Sequence, residues 1–210
     1  MLYKYFNYFR AHIISKKILA MRKKLLIILS ALCFTFCLGQ ANFKNNIKRD
    51  LEILVTAIKT KNMDKATAQI YPKYFKLISK DQMKQILNMT YNNPAINTNI
   101  QDFKILNITQ PKKIQNEFFS FVDYGFKMNL KIDFSSFPNG QKLKKQISEG
   151  IYTKFGKDNV NYNAKSDYYI INAKMKAYAI SSNGNEWKFI IVDKKNNPQL
   201  INILPKEILD

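Results

Sequence analysis

The side chains in this chain that could carry chemistry are carboxylates and phenols. The one histidine, His12, and the two cysteines, Cys33 and Cys37, all precede residue 40. After that point there is no imidazole to act as a general base and no thiol to act as a nucleophile. A Ser-His-Asp triad is excluded there, and a structural zinc site lacks its usual ligands. No glycine-rich phosphate loop occurs, since the chain has only six glycines. No metal, cofactor or catalytic residue is therefore expected. The acids of the strand-like region are Asp102, Glu117, Asp123, Asp133, Asp167, Glu186 and Asp193. Acid–base work needs two carboxylates converging in a pocket. Asp123 and Asp133 fall on a polar parity and read as solvated, whereas Asp102 is a candidate to point inward. Tyrosine buries a ring and keeps a polar tip, which suits a pocket wall. The candidate ligand-binding residues are thus Tyr71, Tyr74, Asp102, Tyr124, Tyr178 and Trp187; the competing reading makes the aromatics among them core and rim residues.

The first 39 residues explain where the Cys and His lie. Met21 to Lys24 is a short basic stretch, Leu25 to Leu38 is a run of 14 uncharged residues, and the small residue Gly39 follows. That is the three-part pattern of a secretory signal peptide, about Met21 to Gly39, with cleavage expected after Gly39. The alternative is a retained anchor, for which 14 apolar residues fall short of the roughly 20 that span a bilayer. Residues 1–20, basic and aromatic, read as an over-long start or an extended basic region. The expectation is an exported bacterial protein, periplasmic or secreted, with residues 40–210 as a single domain.

Charge gives a weaker indication. The formal net charge is +19. Seven of the 34 basic residues and none of the 15 acids lie in 1–39, which leaves 27 against 15, a net of +12. A basic surface suits nucleic acid, anionic lipid or another acidic polymer. The lysines are spread evenly along the chain, however, and no Arg-Lys cluster marks a specific nucleic-acid signal. A basic face on the folded domain would raise this reading.

The elements that must position these residues follow from periodicity. Ile47, Leu51, Leu54, Val55 and Ile58 form one helical stripe, opposite Lys48, Arg49, Glu52 and Lys59. A short helical piece with Ala66, Ala68 and Ile70 follows from Asp64, stopped by Pro72. Ser79 and Gln82 form a capping-box pattern opening a third helix with Met83, Ile86 and Leu87 inward. The period then changes to two. A strand is expected around Ile100 to Ile108, and a long one from Phe118, with Val122, Tyr124, Phe126, Met128, Leu130, Ile132 and Phe134 on the buried parity, bent at Gly125. Leu143, Ile147, Ile151 and Phe155 step as a helix closed by Gly156. Strands about Tyr168 to Ser181 and Glu186 to Asp193 flank the turn Ser182-Asn-Gly-Asn185. The apolar tail around Pro205 is expected to pack back on the sheet. Helices first and strands after them mean α+β: N-terminal helices on a curved antiparallel sheet, with one helix inserted between strands.

This order resembles the NTF2-like superfamily. The likeness rests on the opening helix Ile47 to Ile58 with the short helix to Ile70, and on the closing Asn183-Gly-Asn-Glu-Trp-Lys-Phe-Ile-Ile191 hairpin. The helix Gln141 to Phe155 and residues 194–210 depart from its simplest form. The resemblance implies a cone with a pocket between sheet and helices. It implies no single activity, because such folds host both enzymes and binders. The leading expectation is a non-catalytic domain binding a small molecule or a protein partner in that pocket. The alternatives are an enzyme working through Asp and Tyr, an envelope interaction or inhibitor protein with an apolar patch or a homodimer, and a binder of nucleic acid or anionic lipid.

Overall fold

The computed structural model describes residues 42–192 and 197–209. The signal segment with Cys33, Cys37 and His12, and the acid Asp193, lie outside the described residues. The elements follow as α1 (42–59), α2 (Met63–Thr67), a 3-10 turn (Pro72–Lys76), α3 (Lys80–Tyr91), β1 (Ile96–Ile108), β2 (Lys112–Ile114) and β3 (Glu117–Ile132). After them come α4 (Gly140–Phe155), β4 (Val160–Asn163), β5 (Tyr168–Ser181), β6 (Lys188–Ile191), α5 (Asn197–Leu200) and α6 (Lys206–Leu209). The strands make one antiparallel sheet in the order β1-β3-β5-β4, with β2 added to β3 and β6 to β5. The chain is thus α+β, its leading helices lying against a curved sheet.

Local signals account for the element ends. Ser79 accepts from the Gln82 amide and the Gln82 side chain accepts from the Ser79 amide, closing the capping box that starts α3. Gly156, with φ of 86°, closes α4. At the other end of that helix, Gly140 packs so tightly on Phe134 that a Cβ would lie 2.0 Å from its carbonyl oxygen. Of the three apolar residues expected to face inward in α3, Met83 and Leu87 do so; Ile86 is 48% exposed, because the helix meets the domain along a narrow stripe. β4 was not expected. Its four residues are too short for an alternating pattern to show.

Two clusters share the front face of the sheet. Phe43, Ile47, Leu51 and Leu54 of α1 pack on Val122, Ala179, Trp187 and Phe189. Ile151 of α4 packs on Met128, Leu130, Ile132, Tyr169 and Ile171. A third cluster lies on the back face. There Leu200, Ile203, Leu204 and Ile208 of the tail cover Phe119, Tyr178 and Ile180. This corrects the picture of β3 as a strand with one buried and one wet face. Its first third is buried on both sides, because the tail docks on the parity opposite α1.

β1 carries two irregularities that decide what faces the helices. Its register with β3 slips by one residue between Gln101 and Lys104, and again between Ile105 and Asn107. Such bulges reverse the side-chain parity beyond them. Ile96 and Ile100 point forward before the first bulge, and Phe103 and Ile105 do so after it, packed against the α1 cluster. Without the slip, Asp102 and Lys104 would occupy the front. Asp102 adopts the left-handed conformation, φ 49°, that the bulge requires. Opposite the bulged region, Gly125 pairs with Lys104 and Lys174 at the middle of β3.

Candidate functional site

Between α1 and the inner end of α4 the front face is left partly uncovered. Tyr124 and Met175, directly opposed on β3 and β5, form the floor of a cavity of about 140 Å³. Leu51, Leu54, Val55 and Ile58 of α1 form one wall and Phe155 of α4 another. The α1 stripe therefore has two duties. Ile47 is sealed in solid core, Leu51 and Leu54 are buried at the cavity wall, and Val55 and Ile58 stay half-buried at the opening. The bulge in β1 supplies Phe103, whose ring lies 5.8 Å from that of Tyr124. A second cavity of about 230 Å³ continues past Ile58 toward Tyr74, Met83 and Leu87, and shares Leu54, Ile58, Lys154 and Ile191 with the first.

The lining is almost wholly apolar. Its polar groups are the hydroxyls of Tyr91 and Tyr124 in the first cavity, that of Tyr74 in the second, and the Lys154 ammonium common to both. Burial raises the Tyr91 phenol, and burial followed by the neighbouring Tyr91 raises Tyr124 well above the usual tyrosine range. Both stay neutral at physiological pH, able to donate or accept one hydrogen bond. Neither hydroxyl is hydrogen-bonded by a described residue. Among the described residues no Asp or Glu lines either cavity. An apolar cavity of about 150 Å³ stays dry and takes a benzene-sized guest. The arrangement is suited to hold apolar matter and to orient it by one or two phenols.

The six residues singled out in the sequence do not converge. Tyr124 is on the floor of the first cavity and Tyr74 in the wall of the second. Trp187 is sealed in the α1 cluster, its indole N–H donating to the Gly184 carbonyl at 3.1 Å. Tyr178 lies under the tail on the back face. Asp102 is exposed at the bulge and acts through its backbone. Tyr71 borders a separate polar cleft with Lys73 and Glu117. Phe103 and Met175 were missed. The shift of apolar parity from Ile100 to Phe103 is the one trace of Phe103 in the sequence; Met175 is placed only by the β3–β5 register.

The Tyr71 cleft is a latch. Its phenol donates to the Glu117 carboxylate at 2.9 Å, and Lys73 donates to the same carboxylate at 2.7 Å. This ties the Pro72–Lys76 turn to the start of β3. Burial pushes the Tyr71 phenol up to about 12, from an ordinary 10. A raised folded value means that the stabilisation is complete below pH 10 and is lost as pH rises toward 12. Tyr71→Phe is expected to cost about 1 kcal/mol at neutral pH and to remove part of the alkaline loss between pH 10 and 12. Denaturation followed across that range checks both effects.

Comparison of the chain with family models, with curated proteins and with solved structures finds no match. The geometry of the groove therefore carries the functional reading.

Proposed function

We propose that this chain is an exported, NTF2-like binding module that is not an enzyme and that takes a small apolar molecule into the groove between α1 and the sheet. The observation that carries the reading is the Tyr124–Met175 floor. At the centre of the sheet, where a simple domain would seat a helix, an apolar cavity remains, flanked by two phenol hydroxyls with no described partner. The layering of leading helices on a curved sheet supports the NTF2-like kinship, and the three-part segment before residue 40 supports export.

Filling the groove tests the reading. Leu54 sits in the wall shared by both cavities. Leu54→Trp is expected to abolish binding of an apolar probe such as 1-octanol while costing about 1–3 kcal/mol of stability, the usual effect of overpacking. Isothermal titration and denaturant unfolding separate the two effects. Unchanged octanol affinity in a folded Leu54→Trp protein would sink the proposal.

A further inference from the structure

We infer that the part of the sheet's back face that no described helix covers is a docking surface for an extended anionic polysaccharide. The lysines look scattered in the sequence, but strand register gathers five of them. Lys127 and Lys131 of β3 share the outward parity, and the register places Lys174 and Lys176 of β5 and Lys104 of β1 beside them. Lys104 and Lys174 lie on either side of Gly125, two strand spacings apart, roughly 10 Å. From the row of Asp123 and Lys176 to the row of Lys131 the track covers eight residues of β3, roughly 27 Å. Asp123 is the one acid within that register, 3.8 Å from Lys176. Asp133 and Asp167 lie near Lys131 at the lower rim. The tail helices bound the face above, and among the described residues no helix covers it below.

The groups between the lysines decide the class of polyanion. They are amides: Asn97, Asn99, Gln101, Asn129 and Asn172 occupy the neighbouring positions. The Asn129 Oδ1 atom, buried in this row, has no hydrogen-bond partner among the described residues. Alternating ammonium and amide groups match a polymer that alternates carboxylate or sulfate with hydroxyls. A single-stranded nucleic acid would want several free rings for base stacking. Among the described residues, apart from Phe121 under Lys176 at the upper end, the ring on this face is Tyr168, and Lys131 already lies over it at 5.6 Å. An anionic bilayer would want a continuous apolar strip to bury, whereas here Leu106 and Ile170 stand apart among polar neighbours.

The test is binding of the full-length chain to oligogalacturonate, to oligodeoxythymidylate and to phosphatidylglycerol vesicles at matched charge concentration. Oligogalacturonate is expected to bind most tightly, with affinity falling as salt rises. The double variant Lys127→Glu/Lys174→Glu should weaken it about tenfold or more, whereas Lys48→Glu/Lys80→Glu, the same charge change on exposed helical sites, should change it less than about threefold. Equal losses in the two variants, tighter binding of the DNA or the vesicles, or no binding of oligogalacturonate would each overturn the inference. Circular dichroism of both variants checks that the fold is kept, and single Lys127→Gln and Lys174→Gln variants repeat the measurement if a double variant fails to fold.

Discussion

Replacing Asp50 by alanine is expected to lower the stability of the domain by about 2–4 kcal/mol, a large share of what a domain of this size has. Asp50 lies on α1 and is 6% exposed. Its carboxylate accepts from Arg49 through Nε at 2.8 Å and Nη2 at 3.1 Å, and from the Trp187 backbone N–H at 2.8 Å. Arg49 also donates to the Asn185 carbonyl at 2.9 Å. One carboxylate thus fastens the first helix to the last hairpin, 137 residues away in sequence. In Asp50→Ala the Trp187 amide is left buried without its acceptor, at a cost of about 1–3 kcal/mol, and a charge-assisted bond is lost as well. Arg49 is half exposed and returns to water, so the full penalty of a broken buried pair does not apply. Asp50→Asn keeps an acceptor for Trp187 and should lose less than half as much. Trp187 is the only tryptophan, so its fluorescence in a urea titration reads this hairpin directly. A loss below about 0.5 kcal/mol in Asp50→Ala would show that the link is ornamental.

Removing the tail has a larger expected effect. Leu200, Ile203, Leu204 and Ile208 are each at least nine-tenths buried, on Phe119, Tyr178, Ile180 and Ile190. At about 1.5–3 kcal/mol per buried aliphatic side chain, their gross contribution is about 6–12 kcal/mol, which rivals the whole stability of a domain. Ordering the tail opposes part of this. A chain ending at Val192 also uncovers two aromatic rings and two isoleucines on the back of β3, β5 and β6, an apolar patch that promotes association. It is expected to lose cooperative unfolding and to aggregate. Leu200→Ala is the milder form, with a loss of about 2–5 kcal/mol and the fold retained. A truncated chain that melts cooperatively at an unchanged temperature would refute the structural role of the tail.

Much of this fold is legible in the sequence wherever the signal is local. The α1 stripe, the Ser79–Gln82 capping box, the closure of α4 at Gly156 and the Asn183-Gly184 hairpin each depend on residues a few positions apart. The long parity of β3 is legible for the same reason. What escaped depends on partners distant in sequence. The Asp102 bulge inverts the parity of β1 without a glycine or proline to mark it. The back-face burial of Phe119 follows from a tail that begins some 80 residues later. The candidate site suffered most. A tyrosine's type says that it suits a pocket wall, but not which face of the sheet it occupies. Tyr124 and Tyr178 lie on opposite faces because the β3–β5 register sets Tyr124 beside Met175, three residues from Tyr178. Likewise, even spacing of lysines along the chain hid their convergence on one face.

On the proposed function, the groove over Tyr124 and Met175 takes an apolar guest. Titration of 1-octanol into protein labelled at its Met, Leu and Ile methyl groups, followed by NMR, tests it most directly. Saturable shifts are expected at Leu54, Ile58, Met128 and Met175, which line the cavity, and none at Leu200 and Ile203, which the tail buries against the other face. Shifts that do not saturate, or that appear equally in both clusters, would contradict it.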